Sequence, residues 1–173
     1  MAGGSAAYTI AKSLRFRSSA SAYLSRTSPA TISTYTVSMW VKRGILGSAD
    51  PQYLFSHFNS GNTNTYGISF EATTDKLVYF NGTQQATTAV YRDPAAWYHI
   101  VFSNNAGAFT MYVNGDSVKT GTATAIPSSA VMNIARNTIA GAYWFDGELA
   151  EINFIDGQAL APTAFGAYST YNQ

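Results

Sequence analysis

In YTVSMWVKR, residues 35 to 43, Val37, Met39 and Val41 alternate with Thr36, Ser38 and Trp40. Alternation of period two marks a strand with one face buried, because successive side chains leave a pleated backbone on opposite sides. The pattern returns in YLFSHF (53–58), TYGISFEA (65–72), KLVYFNG (76–82), WYHIVFS (97–103), FTMYV (109–113) and VMNIA (131–135). Asn114 and Gly115 separate FTMYV from DSVK (116–119). That pair predicts a two-residue hairpin turn of type I′, which needs a positive φ at both positions. SLRFR (13–17) and AYLSR (22–26) read as two further strands, and GELAEINFIDGQAL (147–160) as the last. A helical period is confined to APTAFGAYSTY (161–171), where Pro162 suits the first position of a turn or two of helix.

Many short strands without a βαβ rhythm predict an all-β chain: a jelly-roll sandwich of two antiparallel sheets with a short C-terminal helical turn. Parity along the strands assigns Val37, Met39, Val41, Ile100, Phe102, Met111, Val113, Ile152 and Phe154 to its core. With 173 residues the chain is expected to form one domain over residues 13–173. The Ala-, Gly- and Ser-rich residues 1–12 bury little apolar area and are expected to be an arm that docks on a neighbouring chain.

Composition narrows the function classes. The absence of cysteine removes disulfides, thiolate metal sites and a cysteine nucleophile. A net charge of +1, with only 11% charged residues, gives no footprint for nucleic acid or an anionic membrane surface. The opening MAGGSAAYTIAKSLRF lacks the basic-then-apolar order of a secretion signal, so the chain is expected to remain where it is made, or to leave by lysis or by a route the sequence does not show. Surfaces rich in Ser, Thr, Asn and aromatic residues suit contact with sugars or with other proteins.

Three stretches carry a resemblance: YTVSMWVKRG (35–44), WYHIVFSNNAGAFTMYVNGDSV (97–118) and FDGELAEINFIDGQALAPTAFG (145–166). In this order they resemble the laminin-G-like branch of the concanavalin A-like lectin/glucanase fold. The third also resembles the C-terminal part of laminin-G-like proteins encoded by tailed bacteriophages. The resemblance implies a non-catalytic virion surface protein, made in the host cytoplasm and serving as head decoration or fibre component. Its implied partners are capsid or fibre subunits and further copies of itself. The wider family implies a host or environmental glycan as ligand.

Catalysis is tested by Glu148, Glu151 and Asp156, three of the nine acidic residues, all in the last strand. Retaining glucanases of the resembled fold set a nucleophile, a helper and an acid at i, i+2 and i+4 on one strand face. From Glu151 that series reads Glu151, Asn153, Ile155, and from Glu148 it meets Ala150 and Ile152. Neither supplies a second carboxyl, so no enzyme is expected. His57 and His99 lack a second His at metal-pair spacing. Calcium would draw on turn aspartates such as Asp50, Asp75, Asp93, Asp116, Asp146 and Asp156, which no run spaces as a binding loop, so no cofactor is expected. The loop FNSGNTNTYG (58–67) and the aromatic pair Tyr143-Trp144 offer amides and ring plates for a sugar or a partner chain. The candidate contacts are Asn59, Asn62, Asn64, Tyr66 and Tyr143.

Overall fold

The computed structural model describes residues 10–58, 66–137 and 143–166. Its twelve strands are β1 (Leu14–Phe16), β2 (Leu24–Thr27), β3 (Tyr35–Arg43), β4 (Gln52–Phe58), β5 (Tyr66–Phe70), β6 (Lys76–Phe80), β7 (Gln84–Val90), β8 (Tyr98–Asn105), β9 (Ala108–Val113), β10 (Asp116–Thr122), β11 (Val131–Ile134) and β12 (Gly147–Asp156). They form two antiparallel six-stranded sheets, ordered β1-β12-β3-β8-β9-β10 and β2-β11-β4-β5-β6-β7. The expected jelly-roll sandwich is the observed fold.

The hairpin predicted at Asn114-Gly115 forms as expected, with Asp116 opposite Val113 and φ of 52° and 92° at the two turn residues. Asparagine tolerates the left-handed region, and here its Oδ1 also accepts a hydrogen bond from the His99 amide. The β8–β9 turn repeats the geometry with Ala106 at φ 48° and Gly107 at 101°. The side chains of Thr34 and Asn104 hold that turn by accepting the amides of Ala106 and Gly107.

Parity is right for seven core residues. Val37, Met39, Val41, Ile100, Phe102, Met111 and Val113 are all buried between the sheets. Ile152 and Phe154 are only half-buried and pack on the rim of that core. The cause is a bulge. Ala150 pairs with Trp40 and Asn153 with Ser38, so Glu151 and Ile152 together oppose Met39 alone. Glu151 sits at φ 49°, in the left-handed region, which swaps the faces of β12 beyond it. Leu149 therefore faces the core before the bulge and Phe154 after it.

The two sides of the sandwich close differently. On one side Asn81 and Gln85 donate side-chain hydrogen bonds to the Thr122 carbonyl, stitching the β6–β7 edge to β10. On the other side, among the described residues, β1 pairs only with Gly147–Leu149 and leaves the rest of β12 as an edge. There a cavity of about 180 Å³ opens between Leu24, Met132, Ile134, Ile152 and Phe154. At one end of the core Asp75 accepts hydrogen bonds from Arg43, Arg92 and the Gly47 amide. Burial alone would raise the Asp75 carboxyl, but those three donors outweigh it and hold it below the usual carboxylate value.

Past β12 the chain folds back over the outer face of the first sheet. Thr36 Oγ1 donates to the Gln158 carbonyl and accepts from the Leu160 amide. The expected helical turn is a 3₁₀ turn, Pro162–Ala164, with Pro162 at its start. Among the described residues no helix is long and apolar enough to cross a membrane.

Candidate functional site

The carboxylates of the acidic strand, Glu148, Glu151 and Asp156, do not converge. Glu148 lies 3.9 Å from the Arg15 guanidinium, and Asp146 takes that same guanidinium at 3.0 Å. Glu151 is spent in the bulge, where its carbonyl accepts Asn153 Nδ2. Asp156 ends the strand opposite Tyr35. Because the bulge breaks the alternation, an i, i+2, i+4 series starting at Glu151 would not share one regular strand face.

Ser38 Oγ stands 2.9 Å from His99 Nε2, a spacing that an activated serine would also show. Both residues are buried, and Trp40 stacks on the imidazole while Phe165 meets its edge. Burial lowers the His99 pKa to about 4, which makes it a weak base at neutral pH. This pair is packing under the C-terminal fold-back. His57 is also fully buried, and burial likewise lowers its pKa to about 4. Among the described residues neither of its ring nitrogens has a hydrogen-bond partner. Among the described residues no group of three or more His, Cys, Asp or Glu is placed to hold a metal.

Of the predicted contacts, Asn59, Asn62 and Asn64 lie outside the described residues. Tyr66 opens β5 and stacks on His57, with ring centroids 5.4 Å apart. Register puts both on the side of the sheet that carries Phe55 and Ile68, facing inward. Tyr143 lies on the opposite, outer face, where its ring is nearly parallel to Tyr53 at 6.4 Å. The structure thus separates Tyr66 from Tyr143.

Tyr143 belongs instead to an aromatic cluster that the sequence reading only half anticipated. After β11 the chain turns at Ala135, whose φ is 66°, and Arg136 then pairs with Trp144 in an isolated bridge. Ser56 Oγ donates to the Arg136 carbonyl, fixing this excursion on the outer face of β4. Trp144 meets Tyr23 with centroids 5.8 Å apart and planes at 57°, and Arg136 Cζ lies 4.3 Å from the Tyr23 ring. Tyr23 is 42% exposed, while Trp144, Tyr143 and Arg136 are half-buried. Burial raises the pKa of the Tyr53 phenol, opposed by a hydrogen bond from Asn137, so it remains protonated at neutral pH. Tyr23 and Arg136 were missed because they lie over a hundred residues apart and meet only through the β2–β11 pairing.

The enclosed spaces do not compete with this surface. A depression among Tyr53, Ser69, Val78, Phe80 and Gln84 measures about 30 Å³, room for about one water. The inter-sheet cavity is larger but mainly apolar, and it falls short of the roughly 300 Å³ at which small-molecule pockets begin. What the cluster can do chemically is stack flat apolar faces on rings and offer hydrogen bonds beside them.

A family model described as the concanavalin A-like lectin/glucanases superfamily (Laminin_G_3) matches residues 16–163. Among solved structures, domain 4 of AbnA, a GH43 extracellular arabinanase from Geobacillus stearothermophilus in complex with arabinotriose, is similar at TM-score 0.57 and 24% identity. That match covers 78% of this chain and 65% of the other, just under two thirds. The Ruminococcus gnavus IT-sialidase CBM40 bound to alpha2,3 sialyllactose gives TM-score 0.58 at 14% identity, over 77% of this chain and 80% of that one. Domains LG4-5 of the mouse laminin alpha1 chain give 0.55 at 10% identity, over 80% of this chain and 42% of that one. At these identities the likeness is one of fold. No curated protein sequence matches the chain.

Proposed function

The chain belongs to the concanavalin A-like lectin/glucanases superfamily, and on that premise we propose that it is a non-catalytic carbohydrate-binding sandwich. The observation that carries the reading is the aromatic surface of Tyr23, Tyr143 and Trp144 on the outer face of the second sheet, with Tyr143 backed by the buried Tyr53 ring. Pyranose rings present flat C–H faces that pack on such plates, and neighbouring polar groups fix their orientation. Two of the structural relatives are described as complexes with oligosaccharides, arabinotriose and sialyllactose, which supports the same class of ligand here. The non-catalytic part rests on β12, where Arg15 pairs with Glu148 and the bulge sets Glu151 off the regular alternation that Asn153 and Ile155 continue without a carboxyl. The test is saturable binding of an oligosaccharide panel to the intact chain. Tyr23→Ala and Trp144→Ala should each weaken binding about tenfold or more while leaving the melting temperature within a few degrees. Unchanged affinity in both variants would remove the cluster from the site.

A second reading concerns where the sandwich works. The resemblance of residues 145–166 to laminin-G-like proteins of tailed bacteriophages supports a place on a virion surface, beside capsid or fibre subunits and further copies of the chain. That segment is one structural unit, β12 continuing into the fold-back over β3. Glycan binding and virion assembly are compatible on one protein. Fixed stoichiometry of the chain in purified particles, by quantitative mass spectrometry, is the expected result, and its absence from particles would end this reading.

A further inference from the structure

The arginines of this chain spend their charge in different ways. Arg15, Arg43 and Arg92 each face a carboxylate of the chain itself. Arg136 faces rings. Its Cζ lies 4.3 Å from the Tyr23 centroid and 5.0 Å from the Trp144 centroid, and those rings are tilted against each other at 5.8 Å. The guanidinium therefore sits in a V of two aromatic planes, held in place before any ligand arrives. Among the described residues no carboxylate comes within ion-pair distance of it, and no acceptor takes a hydrogen bond from its side chain. Nε is buried without a partner, so the end it presents outward is the Nη1/Nη2 fork. A planar fork with unspent donors matches the two oxygens of a carboxylate.

A second observation lies beside this place in the sheet register. Asn133 is 1% exposed, and among the described residues neither Oδ1 nor Nδ2 has a hydrogen-bond partner. Register sets it between Ser25 and Ser56 on the outer face, and Ser56 is the residue that holds the Arg136 carbonyl. A buried amide left unpaired is costly and calls for a partner from outside the chain, a ligand group or a water that relays to one.

We propose that Arg136, Tyr23, Trp144 and Asn133 form a subsite for a carboxylate-bearing sugar, a uronic or ulosonic acid residue. The inference rests on the glycan-binding reading and adds the ligand's charge to it. The sugar carboxylate meets the Arg136 fork end-on, its ring packs against the exposed parts of Tyr23 and Trp144, and the buried Asn133 amide reaches a ring hydroxyl through one water. Charge makes the subsite selective against neutral sugars of the same shape.

The experiment is isothermal titration of the intact chain with trigalacturonate and with sialyllactose, each beside its carboxyl-reduced counterpart. The two acids separate the uronic from the ulosonic source. At least one acid should bind about tenfold more tightly than its reduced form, and added salt should weaken only the acid. Arg136→Gln should abolish the difference, and Arg136→Lys, which keeps charge without the fork, should restore part of it. The salt arm uses the unaltered protein, so the inference stays testable even if Arg136→Gln fails to fold. Equal binding of acid and reduced forms overturns the inference and leaves the glycan-binding reading intact. A preference for acid that survives in folded Arg136→Gln overturns it as well. Binding of none of the four oligosaccharides overturns the inference, and if the wider panel also fails, the glycan-binding reading falls with it.

Discussion

His57 and His99 illustrate how a residue type that suggests chemistry becomes a packing residue once its surroundings are known. Both are buried, and burial lowers both pKa values to about 4, because a charged imidazole loses its hydration there. The folded state therefore holds each ring neutral, while the unfolded chain protonates it near the ordinary value of 6.5. Between those values the unfolded state binds more protons, so stability is full above pH 6.5 and falls as pH drops towards 4. At about 1.4 kcal/mol per unit, each histidine contributes on the order of 2–3 kcal/mol at neutral pH that is lost across this window. Asp75 has a depressed folded pKa and loses its contribution as pH falls further, below its ordinary value of 3.8. Urea midpoints measured from pH 7 to 4 should decline steadily, and a flat profile would mean that both rings are charged or solvated in the folded protein.

At the level of the strand, Glu151 shows why the last element was legible in place but not in parity. Alternation located β12 and took its parity from Ile152 and Phe154, passing over Leu149, and nothing in GELAEINFID announces a bulge, because glutamate is an ordinary strand-surface residue with no preference for φ near 50°. The conformation is imposed by tertiary fit, since Leu149 and Phe154 must both reach the core from positions of opposite parity. An L-residue in the left-handed region bears roughly 1 kcal/mol of steric cost, which Gly avoids and a β-branched residue increases. Glu151→Gly should leave stability unchanged or slightly higher, Glu151→Gln should be nearly silent, and Glu151→Val should cost about 1 kcal/mol or more in chemical denaturation. Equal stability of the Val and Gly variants would put the bulge elsewhere. Other elements were readable because their signals are local: Asn114-Gly115 for the hairpin, Val37-Met39-Val41 for the central strand, Pro162 for the final turn. β7 was not. QQATTAV carries neither aromatics nor an apolar stripe, and it becomes a strand by pairing with β6 at the edge of its sheet. The aromatic cluster was half legible for a related reason, since Tyr143-Trp144 are adjacent in sequence but Tyr23 and Arg136 join them only through sheet order.

As a whole molecule, the sandwich sets the acidic strand β12 in one sheet and the rings of Tyr23, Tyr143 and Trp144 on the outer face of the other. That division is what makes it a binding protein in this account, and it places ligand and acidic strand on different surfaces. The most direct test is a single ¹⁵N–¹H titration of the folded chain with the oligosaccharide that binds best, followed over a day with the sugar's anomeric signals monitored in the same tube. The account predicts shifts at the amides of Tyr23, Asn133, Arg136, Tyr143 and Trp144, little change from Glu148 to Asp156, and anomeric signals that keep their integrals. Shifts centred on Glu148 and Glu151, accompanied by new reducing-end signals, would contradict it.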